Sequence, residues 1–579
     1  MLLSHGCDLN SGVCSLPLHL ACKLGYSNIV QLLLDAGARP DIPKGLCHGV
    51  PHYIKTCSPD KPPKFLCNRI RNPATALSYA ILSDQPEVVQ VLLDNSAHMN
   101  TELLLHEACR FRAKPCVELL ISMFPEQVNR RDKKGFAPLH YALRGPKGRD
   151  CAITLLETVK NISPDSFLCE QGTLLHELYV SEDSTSFLRL TQLMLAKGPK
   201  DLAYRPTPVD GDTPLHKLLK YFGGNHPRNR QQYVDEVIGC VRLLLKHNAN
   251  PNAPNNRGES ALHALLTHHT GRPLFHLRDR FGVGPKYLRT VLENVGILMQ
   301  ILLDGGALPN QKHAPNFVSP LYYLTRIICS MSPNLLKNTA DQVKNCLKII
   351  CKRGADVNVI NANEDNVVTL LMSSLSRWLH QTADDEHKMH FLLSITHDIL
   401  ELLLEHGLDP EVVLRKNLKQ FIIIFNVTAL HEHFITYLNR LLRCIIRLGG
   451  NPNLIKFCDN SRSLSYSTSC LLYYFARGFY IHSRYDNRFA FHILDVFENT
   501  LTQPNLYECV NGICANLELE FTSAYEIKRK IMEICSRPRT LKQLVRICIY
   551  QSLGWQLQRK CPQLNLPPYL TEYLTYVQC

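Results

Sequence analysis

A short motif, in its clearest form Pro-Leu-His, recurs along the chain and constrains the fold more than any other sequence feature. Its clear copies lie at residues 16–21, 137–142 and 213–216, and its looser copies lie at 260–264 and 428–431. Each copy precedes an apolar segment that ends in a turn containing Gly or Asn, as at residues 30–38, 243–252 and 354–358. Self-similarity at a fixed interval of about 20–50 residues is typical of a stack of similar units. The sequence therefore predicts a repeat array rather than a single compact core.

The residue types of the motif predict two helices in each unit. Thr and Pro favour the start of the first helix, because the Thr hydroxyl accepts from free backbone N–H groups and Pro already has a helical φ. The Leu and small residues that follow allow a neighbouring helix to approach. Gly or Asn then favours the left-handed turn that ends the second helix. At the motif position, His106 and His140 are 34 residues apart.

Motif and spacing together resemble the ankyrin repeat, whose signature is Thr-Pro-Leu-His-x-Ala at a period of about 33 residues. With weaker copies at residues 76–80, 104–108, 174–178, 319–324, 369–372 and 469–475, the expected number is about eleven units. The resemblance implies an all-α fold, an ankyrin-repeat α-solenoid, in which the motif His binds the backbone of an adjoining turn. We therefore expect seven histidines to be structural rather than ligands: His19, His106, His140, His176, His216, His263 and His431.

Uneven spacing between motif copies predicts insertions, which lie near residues 45–73, 223–233, 267–288, 329–340 and 376–390. In a solenoid, insertions emerge as loops or helix extensions on one face, where binding surfaces commonly form. The first insertion is the richest in Pro and in basic residues. We predict that it contacts the substrate.

The first insertion also holds the densest group of thiol and imidazole side chains: Cys47, His48, His52, Cys57 and Cys67. These are zinc ligands, but their spacing lacks the close Cys pairs of structural zinc sites. We therefore expect no metal and no cofactor. The phosphate-loop, Gly-x-Ser-x-Gly and His-Glu-x-x-His motifs are absent from the sequence. A non-catalytic protein is expected, with a metal-dependent or cysteine enzyme as the more distant alternative.

Residues 537–576 have a pattern of their own. Pro538 and Thr540 favour a helix start, after which apolar residues recur at three- and four-residue steps: Leu541, Leu544, Val545, Cys548, Ile549 and Leu553. Pro562 ends this pattern, and Pro567–Pro568 favour a second helix start. A segment this short cannot bury its own apolar residues well, so we expect it to need a partner or the preceding domain.

This tail resembles a SOCS box. The elongin-binding element of that family begins with a small or hydroxyl residue and Leu, followed at four-residue steps by Cys and an aliphatic residue. The matching positions are Thr540, Leu541, Val545 and Ile549, with Val545 in place of Cys. The cullin element of the family begins Leu-Pro-aliphatic-Pro, and residues 564–567 match it with Asn565 in place of the first Pro.

The resemblance implies partners for these residues. Elongin C, which comes paired with elongin B, would be bound by Thr540, Leu541, Val545, Ile549 and Leu553. Cullin-5, with its RING protein, would be bound by Leu564, Leu566, Pro567, Leu570, Tyr573 and Leu574. Ankyrin arrays joined to such a tail form the ankyrin repeat and SOCS box family. The implied function is the substrate-recognition subunit of a cullin-RING ubiquitin ligase for an unknown protein substrate; the alternative is an ankyrin scaffold whose diverged tail recruits no ligase.

We predict three domains in chain order. An ankyrin array occupies residues 1–516, with an incomplete first unit and degenerate later ones; a helical linker occupies 517–536 and the SOCS box occupies 537–577. Residues 2–10 look like the end of a unit whose first helix is missing. Because a solenoid terminus normally carries a polar cap, we expect either upstream repeats in a longer form or another surface that covers this end.

The composition of the chain bears on its redox environment, its partners and its location in the cell. The 23 cysteines and the lack of a signal-peptide pattern at Met1 predict reduced thiols. Apolar runs fall well short of the about 20 residues that span a bilayer, so no membrane contact is expected. The formal charge of +13 is spread over single Lys and Arg residues, so no nucleic-acid partner is expected. We expect a cytoplasmic protein, with a nuclear location also open.

Overall fold

The computed structural model describes residues 8–10, 16–42, 75–95, 103–144, 148–170, 172–180, 186–222, 230–267, 285–312, 318–361, 365–382, 385–409, 522–553, 561–564, 566–568, 570 and 574, with single positions at 437, 440, 444, 491, 494 and 498. The first predicted insertion with its Cys and His group, residues 469–475, His431, Asn565 and Tyr573 lie outside these residues.

The first compact unit, residues 1–256, consists mainly of paired helices. Its helices are α1 (Pro17–Leu24), α2 (Ser27–Asp35), α3 (Ala76–Leu82), α4 (Pro86–Asp94), α5 (Leu104–Phe111), α6 (Lys114–Met123), α7 (Pro138–Leu143), α8 (Arg149–Thr158), α9 (Leu174–Val180), α10 (Phe187–Lys197), α11 (Pro214–Tyr221) and α12 (Arg230–Lys246). Short 3-10 helices cover Pro125–Asn129 and Pro164–Phe167. Two strands, β1 (Leu168–Cys169) and β2 (Gly172–Thr173), pair antiparallel with Leu168 opposite Thr173.

Helices of the first unit form two layers. One layer consists of the first helix of each pair, namely α1, α3, α5, α7, α9 and α11. The other layer consists of the second helix of each pair, namely α2, α4, α6, α8, α10 and α12. Each pair also packs its own two helices together, as α1 does with α2. The buried residues are mainly Leu, Val and Ala on the facing sides, such as Leu105, Ala108 and Val117. This repeated two-layer packing of helix pairs confirms the all-α repeat fold expected from the motif.

The second unit, residues 257–579, continues the pairing with longer helices. The helices whose bounds the structure describes here are α13 (Ala261–Leu266), α14 (Pro285–Asp304), α15 (Pro320–Cys329), α16 (Pro333–Lys352), α17 (Val367–Gln381), α18 (Glu386–Glu405), α19 (Thr522–Ser536) and α20 (Leu541–Ser552), followed by a 3-10 helix over Cys561–Leu564. Helices α13, α15 and α17 form one layer, and α14, α16 and α18 form the other. The predicted insertions at 329–340 and 376–390 are largely helical, because α16, α17 and α18 extend through them.

The turns follow the expected chemistry. The hydroxyl of Thr213 accepts from the backbone N–H of His216 at the start of α11, and Ser319 does the same for Tyr322 at the start of α15. After α16, Gly354 has a φ of +81°, a left-handed conformation that costs other residues more. Caps and left-handed turns therefore define the ends of these helices, as the residue types predict.

Each of these motif histidines contacts the backbone of the next repeat along the chain. Their Nε2 atoms lie 2.9–3.1 Å from carbonyl oxygens: His106 from Arg130 and Phe136, His140 from Leu168, His176 from Asp212, and His263 from Val318. Nδ1 of His140, His176 and His263 accepts from the backbone N–H three residues earlier, so Nε2 carries the proton and donates. Burial lowers the pKa of His106, of His140 and of His176, the last to about 4. The predicted structural role is confirmed for these four histidines.

Candidate functional site

Thr540 caps the start of helix α20, as predicted. The Thr540 hydroxyl accepts from the N–H of Gln543 at 3.3 Å, and the Gln543 side-chain oxygen accepts from the N–H of Thr540 at 3.0 Å. This reciprocal capping box satisfies two backbone donors that the first turn would otherwise leave free. The side-chain amide of Gln543 also donates to Glu498 at 3.2 Å. Gln543 was not singled out from the sequence, although Thr-x-x-Gln is the recognised signal for such a cap.

A small apolar core holds the end of the tail against α20. Tyr550 and Leu574 are buried, and the Tyr550 hydroxyl donates to the backbone carbonyl of Leu574. Ile549, Leu553 and Leu566 pack against this pair and are partly buried. The tail therefore buries part of its own apolar surface, and only one side of α20 faces this core.

The opposite side of α20 exposes a row of apolar side chains. Leu541 is 76% exposed, Leu544 is 47% exposed and Val545 is 44% exposed, and the thiol-bearing residue Cys548 is also exposed. Positions separated by three, four and seven residues lie on one face of a helix, so these four side chains form a continuous strip. We call Leu541, Leu544, Val545 and Cys548 the α20 apolar strip.

The residues expected to bind elongin C do not all lie on this strip. Leu541 and Val545 belong to it, and Thr540 is an exposed cap. Ile549 and Leu553 instead pack against the Tyr550 core. Two further residues of the predicted helical stripe, Leu544 and Cys548, complete the exposed surface in their place.

The residues expected to bind a cullin are also divided. Leu564 is 44% exposed in the 3-10 helix, and Pro567 is exposed. Leu566 packs on the Tyr550 core, and Leu570 is half-buried, with its N–H donating to the carbonyl of Pro567 at 3.0 Å. Leu574 is 2% exposed, so its side chain serves the core of the tail. Leu564 and Pro567 are the two most accessible members of this set among the described positions.

Most described cysteines are inert thiols. Burial raises the pKa of Cys22 to about 12, of Cys151 to about 11 and of Cys329 to about 11, so these thiols stay protonated at neutral pH. Within the described ranges, no group of three or more His, Cys, Asp or Glu side chains is arranged to hold a metal ion. Over the same ranges, no helix combines the length and apolar character needed to cross a bilayer.

The paired helices and the capped helix α20 define a helical repeat protein with a helical C-terminal segment, and comparison with known families agrees. The family model described as Ankyrin repeats (3 copies) matches residues 77–167, Ankyrin repeat matches 15–44 and 210–256, and SOCS box matches 537–575. The chain therefore carries ankyrin repeats and a C-terminal SOCS box, the two modules that the sequence predicts.

Each of the individual relatives below is similar to less than half of this chain. "Probable 26S proteasome regulatory subunit p28" of Saccharomyces cerevisiae is 29% identical over 146 residues, 24% of this chain and 53% of that protein. "Intracellular phospholipase A2" of Caenorhabditis elegans is 25% identical over 270 residues, 43% of this chain and 23% of that protein. The chain thus spans about half and about a quarter of these relatives. The crystal structure of the human ASB11 ankyrin repeat domain is 23% identical, with a TM-score of 0.29, over 43% of this chain and 91% of that one.

Proposed function

We propose that the chain is the substrate-recognition subunit of an elongin B/C–cullin–RING ubiquitin ligase. The observation that carries the proposal is the α20 apolar strip, which is exposed on a helix whose other side is fixed by the Tyr550 core. A capped helix held in this way presents its outward side chains in one arrangement before any partner binds. This lowers the ordering cost of association.

The strip supplies one part of the binding free energy, to which the rest of the interface must add. Fully burying one Leu or Val side chain contributes about 1.5–3 kcal/mol. Leu541, Leu544 and Val545 are between 44% and 76% exposed, so covering all three contributes roughly 3–5 kcal/mol. A hydrophobic groove of elongin C is the expected partner for the strip. Val545, where the family has Cys, keeps the surface apolar.

The cullin contact is proposed on the segment that follows α20. Leu564 and Pro567 supply exposed surface, Leu566 and Leu570 supply half-buried surface, and Tyr573 completes the family pattern. We assign these residues to cullin-5. Leu574 takes part through the core that holds the segment in place.

No catalytic residue is assigned to the chain, because ankyrin repeats and SOCS boxes are interaction modules. Its proposed contribution to rate is proximity. The array holds a substrate while the cullin presents the RING-bound, ubiquitin-charged enzyme, which turns a bimolecular encounter into an effectively intramolecular transfer.

Charged substitutions on the strip test the elongin contact. Leu541→Glu with Val545→Glu should abolish co-purification with elongin B and C, because a carboxylate cannot enter an apolar groove without a large desolvation cost. Both side chains face solvent, so the helix should stay folded. Lys542→Glu, an exposed polar position in the same turn, is the matched control and should retain capture. Ile549 is unsuitable for this test because a charge there would enter the Tyr550 core.

Failure of the wild-type chain to capture elongin B and C would overturn the ligase assignment and favour the scaffold alternative. The cullin assignment is tested separately on the chain already loaded with elongins. Leu564→Glu should weaken binding of purified cullin-5, and should leave elongin capture unchanged because the substitution lies outside the α20 apolar strip. Tighter binding of cullin-2 than of cullin-5 by the wild-type complex would refute the choice of cullin.

A further inference from the structure

A groove of about 640 Å³ lies in the first unit, where the ends of three motif helices meet a turn. Leu143 ends α7 and Arg144 follows it, Val180 ends α9, and Tyr221 ends α11. The far wall is the turn before α11, which contributes Thr207, Val209 and Asp210. The groove therefore draws on three consecutive ankyrin units, and no single repeat could form it.

One end of the groove carries a fixed positive charge. The Arg144 guanidinium lies 4.6 Å from the ring centre of Phe136 and 5.8 Å from that of Tyr141. Arg144 is exposed and forms no ion pair with any part of the chain that is described. Arginine stacked on aromatic rings is ordered in advance, so less entropy is lost when it binds a carboxylate.

A second guanidinium lies near the same aromatic pair. Burial and the hydrogen bond to Asp132 raise the pKa of Tyr141, whereas the charges of both Arg144 and Arg110 act in the opposite direction on that hydroxyl. Asp132 is a charged neighbour, but its carboxylate accepts from the Tyr141 hydroxyl and from two backbone N–H groups and forms no ion pair with Arg144. Arg144, the cation of this end that lines the groove, therefore remains available to an anionic group.

The other charged groups of the groove are mostly occupied. Lys217 lies 3.3 Å from Asp210 and 3.3 Å from Asp212, so its charge is compensated. Glu177 is a half-buried carboxylate of the lining that has no ion pair among the residues described. Glu177 repels a ligand carboxylate placed beside it, so an acidic side chain is accepted next to Arg144 and disfavoured next to Glu177.

Apolar side chains line the space between these charges. Val209 is 77% exposed at the turn, and Val180 is 42% exposed at the end of α9. Tyr221 is partly buried beside them and lines the same groove. Exposed valines facing a tyrosine across a groove form a place for one large apolar side chain.

We propose that this groove binds the substrate, and that its occupant is an extended peptide segment with one acidic side chain close to a large apolar one. The acidic side chain lies against Arg144, and the apolar one lies between Val180, Val209 and Tyr221. Charge complementarity selects the acid, and Glu177 opposes a second one. The inference rests on the function proposed above, because it names the class of substrate segment that the recognition subunit binds.

Selection from a phage-displayed library of random dodecapeptides on the immobilised full-length chain tests this proposal. Enriched peptides should share a single Asp or Glu near one large apolar residue. A synthetic, fluorescein-labelled peptide of the enriched sequence is then titrated with the chain and followed by anisotropy. Arg144→Glu should weaken its binding about ten-fold or more, the effect of losing a charge-assisted hydrogen bond. Val209→Asp should weaken it to a similar extent.

Arg242→Glu, an exposed charge reversal on α12 outside the groove, is the matched control and should change affinity by less than about two-fold. Unchanged thermal unfolding of each variant confirms that folding is intact. Enrichment of basic peptides, no enrichment, or equal loss in the Arg242→Glu control would each overturn the proposal. All variants should still capture elongin B and C. Loss of capture by the wild type would instead refute the ligase function while leaving peptide selection to be judged by itself.

Discussion

Asp212 is the centre of a buried charge network, and its replacement by Asn should destabilise the first unit strongly. The carboxylate is 2% exposed and accepts from Lys220 Nζ at 2.8 Å and from the Asn255 side chain at 2.8 Å. Lys217 Nζ is a second cation beside this carboxylate, 3.3 Å from Asp212 Oδ2. Asp212→Asn keeps the size and one acceptor, but leaves the Lys220 ammonium buried beside a neutral group.

Breaking a buried ion pair by neutralising one partner costs about 3–5 kcal/mol. Asn retains part of the hydrogen bonding, so we expect about 3 kcal/mol. For a unit of this size, 1 kcal/mol corresponds to about 2–4 °C in Tm, which gives a decrease of about 6–12 °C. The pair Arg189–Glu157 is a matched control, because its atoms lie 2.6 Å apart but both side chains are at least 42% exposed. Glu157→Gln should cost less than about 1 kcal/mol.

Calorimetry on the full chain measures the change, and hydrogen exchange of residues 207–221 assigns it to this network. The double variant Asp212→Asn with Lys220→Met removes both charges. It should cost less than the sum of the single variants, with a coupling of about 2 kcal/mol. Strictly additive costs, or an Asp212→Asn variant no less stable than Glu157→Gln, would refute the reasoning that burial gives this pair its weight.

Two further predictions concern pH and backbone space. The pKa of His176 is about 4 in the folded chain and 6.5 ordinarily. The stability that neutral His176 contributes to the folded state is therefore fully present above pH 6.5 and is lost as pH falls toward 4. The wild type should lose about 3 kcal/mol more than His176→Gln between pH 7 and pH 4 in urea titrations; equal losses would contradict this. Gly148→Ala would place Cβ against the carbonyl of Ala142 and should cost about 3 kcal/mol. Gly354→Ala, with open space but a left-handed φ, should cost about 1 kcal/mol, and equal urea midpoints would refute the distinction.

Local signals in the sequence carried most of the fold. The Pro-Leu-His copies predict helix starts, and the motif histidines predict backbone contacts, because both depend on residues within one or two turns. Thr540 predicts the start of α20 for the same reason. The insertions expected near 329–340 and 376–390 are present largely as helix extensions, and spacing alone does not distinguish a loop from an added helical turn.

The orientation of α20 could not be predicted in this way. Its apolar residues occur around most of the helix, so periodicity alone places Leu541 and Ile549 in one stripe. The direction is set by Tyr550 and Leu574, which lie 24 positions apart, and such a contact leaves no local pattern. Hydrophobicity is even misleading here, because Arg546 is 3% exposed while Leu541 is 76% exposed. The Arg144 groove was missed for a related reason, as it needs three repeats at once.

The unequal helix lengths of the two units have a mechanical consequence. Helices α14, α16 and α18 each have 20 residues, whereas α2 and α4 each have 9 residues. At about 1.5 Å per residue, the longer helices give neighbouring repeats an interface about 30 Å long, more than twice that of the shorter ones. In a repeat array, each repeat is held mainly by its neighbours. Under a stretching force, the short-helix repeats should yield first and act as a soft spring, while the long-helix repeats remain stiff.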